Sequence, residues 1–184
     1  NLAGGTLLLN SSGALGSSGT ITFGGGTLKY SANNATDYSA RFSTATGQSF
    51  SIDTNGQSVS YATGLSGASN SLTKLGSGTL TLAASQAYSG TTTVSAGTLA
   101  FSGLNKTYAT SSVLNSGTLD LSGTIGLTLV SLSGSGAVVL PASGTLTLSN
   151  STGEIGGVIS GNAGLTLSAG SLTLSGANTY TGLT

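Results

Sequence analysis

The stretch LTLAASQAYSGTTTVSAGTLAF, residues 80–101, decides the fold of this chain. Apolar and polar residues alternate at both of its ends, and a Gly/Ser/Thr-rich segment lies between them. An alternation with a period of two predicts β-strands that bury one face. Each strand follows a glycine in the form Gly-Thr-Leu-x-apolar, first at Gly78 and again at Gly97.

The same phrase recurs along the chain at a nearly constant spacing. Four of its glycines occupy positions 78, 97, 117 and 136. Repeats of about 20 residues with short strands between turns are typical of a solenoid. Ordering about 20 residues costs on the order of 30 kcal/mol, whereas each buried aliphatic side chain returns only about 1.5–3 kcal/mol. A single coil cannot fold alone, so the coils must stack.

The apolar residues of the phrase predict the core. The second and fourth residues after each glycine are apolar, and the residue between them varies. Because side chains alternate between the two faces of a strand, the apolar pairs should point into a narrow core in which equivalent residues stack. These pairs are Leu7/Leu9, Leu28/Tyr30, Leu80/Leu82, Leu99/Phe101, Leu119/Leu121, Val138/Leu140, Leu146/Leu148 and Leu172/Leu174.

Composition excludes several classes of protein. The chain has 184 residues, four basic and four acidic, and no Cys or His. Nucleic acids and anionic membranes require clustered Lys and Arg, so neither is an expected partner. No run of 18 apolar residues is present to span a bilayer as a helix. We expect a single β-helix segment over residues 1–184, of about nine coils of roughly 19–22 residues, with no cofactor and no metal site.

Residues 29–74 depart from this rhythm and should form looser coils. They hold five of the eight charges, at Lys29, Asp37, Arg41, Asp53 and Lys74. We expect two coils here with a longer loop around residues 33–42, and a turn at residues 53–56, where Asp and Asn can bond the backbone and Gly tolerates positive φ. Asp37 and Arg41 are four positions apart, which suits a salt bridge if a helical turn forms.

Residues 72–103 and 170–184 carry a family likeness. They contain Leu72-x-Lys74-x-Gly76-x-Gly78-x-Leu80, Tyr-Ser-Gly or Tyr-Thr-Gly at Tyr88 and Tyr180, and a closing Gly-Thr-Leu at Gly97. In these features the chain resembles the autotransporter-associated β-strand repeat of bacterial passenger domains. The resemblance implies a right-handed parallel β-helix in a secreted or surface-displayed bacterial protein.

The candidate chemistry is sparse. Asp53 and Asp120 could pair across coils for acid/base work on a polysaccharide, but the charges are spread along the chain, and turn or surface charges are the simpler interpretation. Residues 53–56 offer oxygens for Ca²⁺, although a tight turn explains them better. No catalytic, cofactor-binding or metal-binding residue is therefore predicted.

Two sets of repeated side chains allow further interpretations. Pairs such as Thr79/Thr81 and Thr145/Thr147 would suit ice binding if the hydroxyl ladder were continuous, but Lys29, Ala100, Asp120 and Val139 occupy the outward position in other coils. Tyr88 and Tyr180, with Gln86 and Asn178, should stack inside the solenoid as ladders; a sugar-binding platform is the alternative.

The sequence therefore predicts a non-catalytic structural or adhesive element of an extracellular bacterial stalk, fibre or surface passenger. Carbohydrate binding, polysaccharide degradation and ice binding remain alternatives, and surface glycans or a neighbouring cell surface are possible partners. We also expect head-to-tail self-assembly, in which the end from Leu172 to Thr184 meets the end from Asn1 to Leu9. Joined in that order, the two ends form a segment that aligns without a gap with residues 80–101.

Overall fold

The computed structural model describes residues 1–103 and 112–184. The described chain is built from short strands and one 3₁₀ turn, Ser39–Arg41. The strands are β1 (Thr6–Leu8), β2 (Thr27–Lys29), β3 (Ser49–Asp53), β4 (Ser58–Tyr61), β5 (Ser66–Gly67), β6 (Ser71–Leu75), β7 (Thr79–Leu82), β8 (Ala87–Tyr88), β9 (Thr92–Val94), β10 (Thr98–Ser102), β11 (Ser112–Asn115), β12 (Thr118–Gly123), β13 (Leu127–Leu129), β14 (Ser131–Ser133), β15 (Ala137–Val139), β16 (Thr145–Leu148), β17 (Ser151–Ile155), β18 (Ile159–Ser160), β19 (Gly164–Leu167) and β20 (Gly170–Leu174).

These strands form the faces of a parallel β-solenoid. Face 1 runs in the order β1-β2-β3-β6-β9-β11-β14 and continues past the parallel bridge between Gly134 and Ile155 to the pair β17-β20. Face 2 contains β4, β7, β10, β12, β15 and β18. Face 3 contains β13, β16 and β19, and β5 and β8 occupy the third position in earlier coils. Every strand pair is parallel, which confirms the predicted all-β parallel solenoid.

Nine strands line face 1, and they mark about eight complete turns, slightly fewer than the expected nine coils. In the middle of the stack Leu80 pairs with Leu99, and Leu99 pairs with Leu119, so each pairing advances by one repeat of the sequence. The spacing is wider earlier in the chain, where Thr27 pairs with Ser51. The extra length lies between β2 and β3, where the sequence predicted a longer loop around residues 33–42.

The predicted core is largely correct. The leucines of the central phrases are fully buried, as are the equivalent valine and isoleucine side chains on neighbouring strands. The exceptions lie at the two ends of the stack: Leu7 is 41% exposed, and Leu172 and Leu174 are only partly buried. These three side chains lack a coil on one side, so their inward orientation does not bury them.

The Gly-x-apolar phrase does not mark one position in the coil, which the sequence alone did not reveal. Phrases beginning at Gly5, Gly26 and Gly170 lead into face 1, those at positions 78, 97, 117 and 136 lead into face 2, and the one at Gly144 leads into face 3. At Gly97 the backbone has φ of 65°, and a Cβ there would lie 2.5 Å from the carbonyl oxygen of Gly78 in the coil before. The phrase therefore corresponds to a tight corner followed by a strand, and it occurs at the corners that precede all three faces.

The first two coils replace face 2 with loops. After β1 and β2 the chain forms irregular segments, residues 9–20 and 30–38, instead of a paired strand. Their interior is filled by an aromatic cluster in which Phe23 lies 4.9 Å from Phe42 and Phe42 lies 5.4 Å from Tyr61, both edge to face. Phe50, 5.3 Å from Phe23, extends this cluster, and the rings supply much of the buried apolar surface of the early coils.

Truncation of a central leucine should destabilise the whole stack. Leu80→Ala removes a fully buried side chain between Val59 and Leu99, so we expect a loss of about 2–5 kcal/mol in the free energy of unfolding. Leu114→Ala, at a side chain 47% exposed on a face 1 strand, should cost less than about 1 kcal/mol. Urea denaturation monitored by circular dichroism measures both, and equal losses would contradict the predicted core.

Candidate functional site

The two carboxylates considered for acid/base chemistry lie far apart. Asp53 ends β3 on face 1, whereas Asp120 lies in β12 on face 2, three coils further along the stack. At about 4.8 Å per coil, that displacement alone exceeds the separation used by paired catalytic carboxylates. Asp120 accepts a hydrogen bond from the backbone N–H of Ser122 at 2.9 Å. The structure does not assemble an acid/base pair from these residues.

Asp53 is occupied by structural contacts. Its Oδ2 forms an ion pair with Lys29 Nζ at 3.0 Å across two paired strands, and its Oδ1 accepts the backbone N–H of Asn55 at 2.9 Å. Asn55 and Gly56 both have positive φ, 48° and 84°. The Asx bond and the left-handed residues are those of a tight turn, as the sequence indicated for residues 53–56.

The predicted Asp37–Arg41 salt bridge does not form, although the helical turn does. Asp37 accepts backbone N–H groups of Ser39 at 2.7 Å and Ala62 at 2.8 Å. The guanidinium of Arg41 instead reaches the preceding coil, where it donates to four backbone carbonyls, those of Leu15, Gly16, Ser18 and Gly19. Unpaired carbonyls of an irregular loop attract Arg41 because its planar fork can satisfy several of them at once.

Lys74 is a buried cation, contrary to the expectation that the charges lie at turns and on the surface. It is fully buried on the inner side of face 1. Its Nζ donates to the carbonyls of Leu75 at 3.0 Å and Gly76 at 2.8 Å, and to that of Ala96 in the next coil at 3.1 Å. Burial lowers the pKa of Lys74 to about 8, and the negative charge of Asp53 partly opposes that shift. The ammonium group therefore links the corner after β6 to the corner after β9 by hydrogen bonds.

At other corners, buried asparagine side chains likewise donate hydrogen bonds to backbone carbonyls of neighbouring coils. Asn70 is fully buried; its Nδ2 donates to the carbonyls of Ala45 and Ser66, and its Oδ1 accepts the N–H of Gln48. Asn115 donates to the carbonyl of Ala137 at 2.8 Å, but its buried Oδ1 has no hydrogen-bond partner among the described residues. A lone inward-facing Asn or Lys in a Gly/Ser-rich corner is the sequence signal that would have identified these residues.

The repeated tyrosines keep the same local contact but do not stack on each other. The hydroxyl of Tyr88 lies 2.6 Å from Thr92 Oγ1, and that of Tyr180 lies 2.6 Å from Thr184 Oγ1. Tyr88, in β8, lies on face 3, whereas Tyr180 lies between Thr179 and Thr181, whose N–H groups bond to the carbonyls of Ile159 and Gly161 along β18 of face 2. The predicted tyrosine ladder is therefore wrong, because the repeated motif has turned by one face between the two copies. Burial raises the pKa of the Tyr88 hydroxyl to about 12.

The outward hydroxyl groups form longer columns than the sequence indicated. Lys29 lies on face 1, whereas Ala100, Asp120 and Val139 share one outward column of face 2. Next to these residues, each of the two faces also carries a column of outward Ser and Thr side chains that occupy paired positions on successive strands. The columns are Thr6, Thr27, Ser51, Thr73 and Thr93 on face 1, and Ser58, Thr79, Thr98 and Thr118 on face 2.

A second hydroxyl column lies beside the first only over part of each face. On face 2 it consists of Ser60 and Thr81 and ends at Ala100. On face 1 the second column contains Ser49 and Ser71, and further along Ser112 and Ser131, then Thr152 and Ser171. There the first column is interrupted, because Leu114 replaces its hydroxyl at β11. The paired columns mix serine with threonine and extend over a few coils, so they do not form a regular threonine lattice along either face.

The grooves on the described surface are shallow. One, of about 280 Å³, is lined by Gly134, Ser135, Glu154 and Gly156, and the Ser175 hydroxyl donates to its carboxylate. The described residues contain no group of three His, Cys, Asp or Glu side chains that could hold a metal ion. Over the same residues, no helix has the length and apolar character that crossing a bilayer requires.

Titration of Lys74 should make stability depend on pH in the alkaline range. Its pKa of about 8 in the folded state lies below about 10.4 for an unfolded lysine. Between these two pKa values, Lys74 is protonated more often in the unfolded state than in the folded state. The free energy of unfolding should therefore rise with pH from about 8. Above about pH 10 the buried tyrosines, whose pKa values are raised by burial, oppose the rise, because unfolded tyrosines lose their protons first.

Urea midpoints measured between pH 7.5 and 9.5 test this prediction. Lys74→Met should flatten the slope, whereas Lys29→Met, at a side chain 34% exposed, should retain it. A slope that survives in Lys74→Met would contradict the assignment.

A comparison with known protein families finds a repeat model that matches three segments of the chain. The family model of the passenger-associated-transport-repeat matches residues 72–101, 96–121 and 167–184. The first two matches cover the strands from β6 to β12, and the third covers β20 and the segment after it. No curated protein and no solved structure matches this chain. Three segments of the chain therefore match the passenger-associated-transport-repeat model, which confirms the resemblance recognised in its sequence.

Proposed function

We propose that this chain is a non-catalytic, passenger-type β-helix that forms part of an extracellular stalk, fibre or surface-displayed protein of a bacterium. The observation that carries the proposal is the unbroken parallel stack of face 1, in a chain with passenger-associated-transport repeats. Its role is structural or adhesive: it holds an extended surface at a distance from the cell.

The physical properties of the stack suit a rigid spacer. Eight intervals of about 4.8 Å give about 38 Å of axial length. Strands inside faces 1 and 2, such as β7 and β10, pair with the coils above and below through their backbones, so bending the rod there strains several parallel hydrogen bonds at once. Repeat proteins of this kind gain stability coil by coil, from the contacts between neighbouring repeats.

The sparse charge supports a structural role over catalysis. Asp53 and Asp37 are held by backbone N–H groups, and Asp53 by Lys29 as well. The remaining described carboxylates, Asp120 and Glu154, lie on separate coils and contact serine residues. A surface dominated by hydroxyl groups favours weak, multivalent contact with glycans or a neighbouring cell surface.

Location on the cell tests the proposal directly. Antibodies raised against the purified chain should label intact cells of the source bacterium in immunogold electron microscopy, and external protease should remove the label. A cytoplasmic protein of matched abundance serves as the control for lysis. Labelling that appears only after the cells are permeabilised would overturn the proposal.

The alternative functions have separate assays. We expect no reducing-end release from a panel of soluble and polymeric glycans, because Asp53 and Asp120 lie on different faces. We also expect no thermal hysteresis or inhibition of ice recrystallisation, because the paired hydroxyl columns are short and mix serine with threonine. Turnover that is lost in Asp53→Asn or Asp120→Asn, or clear ice shaping, would establish the alternative instead.

A further inference from the structure

Face 2 contributes two apolar side chains to the core from each coil in the middle of the stack. On each strand from β4 to β12 the two inward side chains are apolar and buried, and the same holds for β15 together with the residue that directly follows it. These pairs are Val59/Tyr61, Leu80/Leu82, Leu99/Phe101, Leu119/Leu121 and Val138/Leu140. Face 2 is therefore held by an unbroken apolar surface.

Face 1 contributes only one apolar side chain from each of the same coils. From β6 to β14, one of the two inward positions holds an apolar residue and the other holds a polar residue or glycine. In chain order these pairs are Leu72/Lys74, Thr92/Val94, Val113/Asn115 and Leu132/Gly134. In this part of the stack, face 1 buries about half as many apolar side chains as face 2.

The polar inward groups of face 1 are unequally satisfied. Lys74 donates to three carbonyls, and the hydroxyl of Thr92 lies 2.6 Å from that of Tyr88. Asn115 donates one hydrogen bond, but its buried Oδ1 has no partner among the described residues. A buried acceptor without a partner costs free energy, and Gly134 has no side chain to pack. Past the strand that carries Lys74, the inner side of face 1 is therefore weakly held.

We infer that β9, β11 and β14 form a unit that opens locally while the face 2 strands of the same coils, β10, β12 and β15, stay paired. All six strands pair with a coil on each side, so the contrast does not come from the ends of the stack. Segments with few buried apolar contacts open at a lower free energy than the whole protein. The solenoid then has a compliant side along face 1 and a rigid side along face 2.

Hydrogen exchange of the backbone amides, followed residue by residue by NMR on the purified chain, measures the opening of each strand. The slowest amides of β9, β11 and β14 should exchange about ten-fold or more faster than those of β10, β12 and β15, because an opening face 2 strand exposes one more apolar side chain. The comparison of β11 with β12 is the most direct, since only a short corner after Asn115 separates the two strands.

A substitution on face 2 separates local opening from unfolding of the whole stack. Leu121→Ala removes a fully buried side chain of β12, at the end of the strand away from the corner that joins it to β11. Exchange in β12 should become about ten-fold or more faster. Exchange in β11 should change by less than about two-fold, because its local opening leaves face 2 folded. Leu114→Ala, at a side chain 47% exposed, is the control and should leave exchange in β12 unchanged.

Low concentrations of urea provide a second measurement on the unsubstituted chain, which does not depend on whether a variant folds. Local opening exposes little surface, so exchange in β9, β11 and β14 should be nearly independent of urea. Exchange in β10, β12 and β15 should accelerate with urea along the slope of global unfolding.

Three results would each overturn the inference: equal exchange on the two faces, equal acceleration of β11 and β12 in Leu121→Ala, or a common urea slope for all six strands. The inference goes beyond the proposed function, because it concerns the purified chain wherever that chain resides. A uniformly cooperative stack that immunogold labelling places on the cell surface would refute the compliant side and leave the proposed function standing.

Discussion

Parallel pairing between each strand and the equivalent strand of the preceding coil is the constraint on which the rest of this structure depends. Strands this short are not stable by themselves, and the cross-section of one coil is too small to form a core. Once the coils stack in register, leucines such as Leu80, Leu99 and Leu119 lose their contact with water on both sides. The same stacking leaves the first and last coils half-covered.

Tight corners are the second requirement, and they explain both the glycine content and the buried polar groups. A corner brings the backbones of successive coils so close that a side chain at Gly97 would collide with Gly78. It also leaves carbonyl groups without strand partners, and these must be satisfied inside the solenoid. Lys74 and Asn70 donate hydrogen bonds to such carbonyls. Their polarity is therefore architectural, and it places a titrating cation in the core.

The arrangement of charge connects this architecture to function. In the described chain Asp53 and Asp120, the two carboxylates that could have formed a reactive pair, lie on different faces and three coils apart. Each of them, and Asp37 as well, accepts a hydrogen bond from a backbone N–H group. What remains on the surface is a set of short hydroxyl columns beside isolated apolar side chains. Such a surface is compatible with the proposed spacer, and three segments of the chain match the passenger-associated-transport-repeat model.

The sequence by itself determined the period of the repeat, the alternation of buried and exposed residues, the longer loop around residues 33–42 and the family that the repeat resembles, because each depends on local spacing. Only the tertiary structure decided which face each phrase occupies. The Gly-Thr-Leu phrase encodes a corner and a strand, and three corners accept it equally, so Tyr88 and Tyr180 share a motif but lie on different faces. The hydrogen-bond partners of Lys74 and Arg41 and the register of the hydroxyl columns depend on contacts between neighbouring coils, which no local pattern records.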